Sequence, residues 1–218
     1  PYAGAPVLVR FSQWSITPPE ADIGPWTGVP KDRWASSLSQ EQYIAGVRRI
    51  HAHIASGEVY QVNLCRVLEA DIERSDDIVA LHRALAVGNP APYSSMMSVP
   101  DVDLHVACAS PELFLRREGN FLSSGPIKGT AASSGLLLDK DLAENVMIVD
   151  LVRNDLSRVA RTGSVRVPDL LRIEEHPGLV HLVSDVQCGL AEGTQWSDIV
   201  AATFPPGSVT GAPKSSAL

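Results

Sequence analysis

Leu104-His105-Val106-Ala107-Cys108-Ala109-Ser110-Pro111-Glu112-Leu113-Phe114-Leu115-Arg116 is the stretch whose pattern decides the fold class. Leu104 to Ala109 and Leu113 to Arg116 read as strands, and the Ser110-Pro111-Glu112 junction between them is too short for a helix. Strands that follow one another directly fit an α+β arrangement of two packed, mostly antiparallel sheets flanked by helices better than a doubly wound sheet. Working upstream, Gly88-Asn89-Pro90 closes a helix that runs from Asp77 to Val87. Further back, Ser39-Gln40-Glu41-Gln42 reads as a capping box that opens a helix with Ile44, Val47, Ile50 and Ile54 as its apolar stripe. Gly57 ends that helix, and the alternation of Tyr60, Val62 and Leu64 with Gln61, Asn63 and Cys65 predicts a strand.

Downstream, a helix is expected from about Asp139 to Asn154, with Leu142, Val146, Val149 and Val152 or Arg153 on its buried side. Strands around Ser164 to Val167 and Val180 to Val186 follow, then a short helix from Asp198 to Phe204. Residues 1–37 are rich in proline, hold three of the four tryptophans and lack periodicity. They read as an upstream tail or connection, leaving 38–218 as one folded unit. The chain opens without methionine and stops just inside a helix at Ser215-Ser216-Ala217-Leu218, so it is expected to be a piece of a longer protein.

At 44% hydrophobic and 20% charged residues, the composition is that of an ordinary globular protein. A net charge of −7 gives no support to nucleic-acid binding, and no apolar run approaches the ~18 residues that cross a bilayer. Cys65, Cys108 and Cys188 are odd in number, far apart and set in apolar stretches, which predicts reduced, buried thiols in a cytoplasmic protein. His51 and His53 are two apart on a helix and face different ways, so they make no metal pair.

Four features carry chemistry. Lys128 stands in Ser124-Gly125-Pro126-Ile127-Lys128-Gly129-Thr130, where proline fixes φ and glycine permits close approach; a presented amine and a surface turn both satisfy that pattern. Asp141 and Glu144, three apart, share a helix face, either as ligands for a hard cation or as an acidic first turn favoured by the helix dipole. Glu112, after a proline at a strand junction, is a general acid if burial raises its pKa and otherwise a turn residue in water; His181 reads equally as a core or edge histidine. Pro206-Gly207-Ser208-Val209-Thr210-Gly211-Ala212-Pro213 places small residues before a helix start, an arrangement able to receive a carboxylate.

Together with Gly57-Glu58-Val59-Tyr60-Gln61-Val62-Asn63-Leu64, Asn89-Pro90-Ala91-Pro92-Tyr93, Asp141-Leu142-Ala143-Glu144-Asn145 and Val149 to Leu156, these segments resemble the chorismate-utilising enzymes. Gly163-Ser164-Val165, Val180-His181-Leu182-Val183-Ser184 and the closing Ala212-Pro213-Lys214 continue the series in that family's order, over about residues 39–218. The resemblance implies a Mg²⁺-dependent chorismate site with Glu144 as metal ligand and Glu112 as the acid near the 4-hydroxyl. It further implies Gln61, Gly129, Thr130, Thr210, Gly211 and Ala212 as substrate contacts, with His181 beside the ring.

Within the family, isochorismate and salicylate synthases carry a lysine where this chain has Gln61, and anthranilate synthases carry an alanine where it has Lys128. The pattern Pro-Ile-Lys-Gly-Thr is that of aminodeoxychorismate synthase, a transferase feeding 4-aminobenzoate and folate synthesis with ammonia from a glutamine amidotransferase (glutaminase) subunit or fused domain. The resemblance there implies that Lys128 attacks ring carbon 2, expels the 4-hydroxyl and is displaced by ammonia. Anthranilate synthase chemistry and a non-catalytic chorismate-binding role are the other readings. The family's remaining carboxylate-binding residues and second metal-binding glutamate are not in these 218 residues, so the piece alone is expected to be inactive.

Overall fold

The Ser110-Pro111-Glu112 junction carries the chain from one sheet into another. A computed structural model describes residues 24–72 and 77–217, so most of the expected upstream tail, residues 1–23, lies outside the described residues. In chain order the elements are β1 (Ala35–Ser36), α1 (Gln40–Ala55), β2 (Gln61–Val62), β3 (Leu68–Glu69), α2 (Asp77–Gly88), β4 (Tyr93–Val99), β5 (Leu104–Ser110) and β6 (Leu113–Glu118). They continue with β7 (Phe121–Gly125), β8 (Ile127–Ala131), α3 (Asp139–Ser157), β9 (Arg166–His176), β10 (Leu179–Gly189), α4 (Trp196–Thr203), β11 (Gly211–Ala212) and α5 (Lys214–Ala217).

β4 and β5 form an antiparallel hairpin in continuous register from Tyr93 opposite Ser110 to Val99 opposite Leu104. The main sheet is built on β10. Its Val186–Gly189 half pairs with β7, its Val180–Val183 half pairs with β8, and β9 runs antiparallel beside it. β6 extends the sheet beyond β7. Every recorded strand pair is antiparallel, and β1–β3, β2–β11 and β4–β5 stand apart as two-stranded sheets. The α+β class stands. Among the described residues, regular structure is already present ahead of residue 38, in a 3-10 turn at Lys31–Arg33 and in β1, which pairs with β3.

α1 keeps its capping box: Gln42 N–H donates to the Ser39 hydroxyl, and Ser39 N–H donates to the Gln42 side chain. Its end is a Schellman turn, with Gly57 at φ +78°, Gly57 N–H donating to Ile54 and Glu58 N–H to His53. The strand predicted from Tyr60 to Cys65 is only two residues long, since its partner β11 is no longer than that.

The core lies where α3 and α4 cover β7 and β10. Leu122, Ile148, Leu156, Val186 and Ile199 are fully enclosed there. Burying side chains of this size stabilises the fold by about 1.5–3 kcal/mol each. The buried face of α3 is rotated from the expected stripe: Asn145, Ile148, Val149, Val152, Asp155 and Leu156 point inward, while Leu142 and Val146 are exposed. Among the described residues no helix is long and apolar enough to cross a membrane. All three thiols are free, but Cys65 is exposed and Cys108 half-buried, so only Cys188 meets the expectation of a buried thiol.

Candidate active site

The sequence placed Lys128 in a turn; it lies on a strand, at a bulge. β8 pairs with β10 through Ile127 opposite Val183 and Thr130 opposite His181, so Lys128 and Gly129 together face the single residue Leu182. An inserted residue bends its strand and re-aims the side chain beside it. Gly129 sits at φ +95°, and a Cβ there would come within 3.0 Å of the Asp141 Cβ and 3.2 Å of the Leu182 Cβ. Only glycine meets both conditions.

A bulge frees backbone carbonyls, and α3 takes them up. The buried Asn145 amide donates to Leu182 O at 2.8 Å and to Lys128 O at 3.3 Å, while its oxygen accepts the Ser184 hydroxyl at 2.6 Å. Ser184 in turn accepts the N–H of Leu171 on β9. Asn145 therefore fixes the backbone from which Lys128 projects. Sequence reasoning passed over it, although a short amide on the inward face of an otherwise apolar helix was the available signal.

The Lys128 ammonium donates to Ser208 O at 2.9 Å, and the Asn63 amide donates to the same oxygen at 3.3 Å. Glu112 joins this group: burial pushes its carboxyl above its ordinary value, opposed by a hydrogen bond from Ser208, by the nearby Lys128 charge and by the Ile127 N–H. The Ser110 hydroxyl holds the junction locally, accepting Glu112 N–H at 3.2 Å and donating to Glu112 O at 3.0 Å. An apolar cavity of about 350 Å³ borders Glu112 and Ser208, walled by Pro111, Phe114, Phe204 and Val209 among others.

Thr130 and His181 form a second pair, with the Thr130 hydroxyl 2.9 Å from His181 Nδ1. Burial, then the neighbouring His176, hold the His181 imidazole below its ordinary value, with Glu174 opposing. The balance favours the uncharged ring. Gln61 stands opposite Ala212, and its side-chain oxygen is buried with no hydrogen-bond partner among the described residues. Gly211 has no room for a side chain, since its Cβ would collide with Gln61 O. The Thr210 hydroxyl is spent inside its own loop on Pro206 O, while its carbonyl accepts Asn63 N–H at 2.7 Å.

Glu144 is exposed on α3. Its expected companion Asp141 is committed elsewhere, because that carboxylate accepts the N–H of Leu138 at 2.8 Å and caps the helix. Among the described residues no three His, Cys, Asp or Glu side chains converge as a metal site. A lone exposed carboxylate still fits Mg²⁺, a hard ion that keeps several waters and takes one or two carboxylates alongside substrate oxygens.

The structure thus gathers an amine, a protonatable carboxyl and an orphaned amide oxygen around one loop, with the Thr130–His181 pair further along the same two strands, β8 and β10. Residues 24–218 match the family described as chorismate binding enzyme. The chain belongs to that family. Aminodeoxychorismate synthase component 1 of Bacillus subtilis (strain 168) is 37% identical over 197 residues, covering 83% of this chain and 40% of that protein. Anthranilate synthase component 1 of Aquifex aeolicus (strain VF5) is 39% identical over 198 residues, covering 85% of this chain and 39% of that protein. The crystal structure of anthranilate synthase component I from Streptococcus pneumoniae TIGR4 superposes with a TM-score of 0.72 at 28% identity, over 84% of this chain and 42% of that one. The chain therefore spans less than half the length of these chorismate-family relatives, and their names divide between two products.

Proposed function

We propose that this chain carries the lysine-bearing part of an aminodeoxychorismate synthase component I, an enzyme that converts chorismate and ammonia to 4-amino-4-deoxychorismate on the way to 4-aminobenzoate and folate. The observation that carries this reading is the bulge at Lys128 and Gly129, which directs the amine to Ser208 O beside a carboxyl whose pKa is raised by burial. A lysine that must act as a nucleophile needs a fixed position and a proton acceptor, and it needs an acid within reach of the group it displaces.

In this reading the Lys128 ammonium first releases a proton to solvent; the free amine adds to ring carbon 2 and the bond from carbon 4 to its hydroxyl breaks, with Glu112 giving the proton that turns the hydroxyl into water. The proton shed by the bound amine returns the acid to its starting state. Ammonia then adds at carbon 4, and the bond from carbon 2 to Lys128 breaks as Glu112 protonates the departing amine and takes a proton back from the nitrogen now bound at carbon 4. The balance is one ammonia in and one water out. Neutral His181, fixed by Thr130, contacts the ring without adding charge, and the orphaned Gln61 oxygen receives a donor from bound ligand. Glutamine cannot act as a base at that position, which disfavours addition of water at carbon 2.

Glu144 is the residue here that would hold Mg²⁺, whose contribution when bound is to neutralise a substrate carboxylate and fix the ring. The rest of the metal site, the glutaminase that supplies ammonia and the cytoplasmic setting belong to the same proposal for the whole protein. The test is product identity: whole protein given chorismate, Mg²⁺ and ammonia should form aminodeoxychorismate, separated by chromatography. Fluorescent anthranilate as the product would overturn the reading.

A further inference from the structure

The ten residues between Thr203, the last of α4, and Lys214, the first of α5, form the loop that carries Ser208 and the Thr210-Gly211-Ala212 segment. One ammonium spans both ends of that loop. Lys214 Nζ donates to the Asp155 carboxylate at 2.7 Å and to Thr203 O at 3.3 Å. Both charges are withdrawn from water, with the Lys214 side chain 15% exposed and that of Asp155 11% exposed. Asp155 sits on the inward face of α3, the helix whose Asn145 fixes the Lys128 backbone. Both lysines of the region thus lead to the same helix, one through a carbonyl and one through a carboxylate.

We propose that Lys214 is a positioning residue for the reaction, clamping the 204–213 loop through Asp155 so that Ser208 O stays opposite the Lys128 amine. The proposal rests on the reading of Lys128 as the nucleophile. A pair so enclosed has to be satisfied geometrically; removing either partner leaves a buried charge and frees the loop end it held. Asp155 answers to this environment, since burial pushes its carboxyl up while Lys214 opposes the shift.

The test uses the whole protein and compares Lys214→Met with Lys214→Arg. In Lys214→Met, hydrogen exchange at Asn63 N–H and Thr210 N–H should speed up by about tenfold or more, and kcat per folded molecule should fall by a similar factor. Lys214→Arg, which can still pair with Asp155, should restore most of both. Should Lys214→Met fail to fold, Asp155→Asn, which keeps the bond to Thr203 O, is measured in the same way and should show the same two changes. Unchanged exchange in the loop, or unchanged kcat in a folded variant, overturns the clamp. If exchange rises but Lys128→Ala retains full activity, the nucleophile reading fails and the loop clamp survives without its catalytic role.

Discussion

Two helices of similar length, α1 and α3, sit in opposite surroundings. α3 has six buried residues and lies against β8 and β10, whereas α1 has none. The apolar stripe of α1 is regular, yet Ile44 and Ile54 remain 40% and 41% exposed. Periodicity tells which face of a helix seeks cover, and cover depends on what else packs there. The contrast divides the site. Lys128, Gly129, Thr130 and His181 stand on strands packed against α3, while Gln61 and Asn63 hang from backbone hydrogen bonds to β11 and the loop before it.

Substitutions on the two sides should separate sharply. Leu122→Ala, in the fully enclosed core, should cost about 3 kcal/mol through lost burial and an unfilled cavity, read from urea denaturation. Asn145→Ala should cost about 2 kcal/mol, because it strands the Ser184 hydroxyl and two carbonyls at the bulge. Ile54→Ala on α1 should cost less than about 1 kcal/mol, and a loss as large as that of Leu122→Ala would show that α1 is covered after all.

The smallest effect is a slope. Burial raises the folded-state pKa of Glu112, so its stabilising contribution is present below the unfolded value and is lost as pH rises through the folded one. Glu112→Gln should therefore gain stability relative to the parent with rising pH across that window. Parallel curves of urea midpoint against pH would contradict the burial of Glu112.

Much of this was legible in the chain. The capping box at Ser39, the Gly57 stop, α2, α3 and the adjacent strands β5 and β6 follow from local rules that tertiary contacts did not overturn. β7 was missed because it is short, its one large outward side chain is the apolar Phe121 and an inward position is the polar Ser124, leaving no alternation to detect. β8 was taken for a turn because Pro126 and Gly129 are turn residues in isolation; here glycine serves a bulge, and its partner β10 lies about fifty residues away in sequence. The rotation of α3 was hidden for a related reason. Asn145 and Asp155 are polar by type, yet they occupy the inward face because a carbonyl pair and Lys214 receive them there.

Family membership was legible through the order of the segments along the chain, and the candidate residues were named from that order. The network that holds them was not, since Asn145, Ser184, Ser208, Asp155 and Lys214 meet only across elements distant in sequence.

The claim that Lys128 is a nucleophile aimed by its bulge is tested most directly by mass spectrometry. Whole protein incubated with chorismate and Mg²⁺ but without ammonia should yield a peptide bearing a chorismate-derived adduct on Lys128, absent from Lys128→Ala. An adduct-free Lys128 under those conditions, together with undiminished aminodeoxychorismate formation by Lys128→Ala, would contradict it.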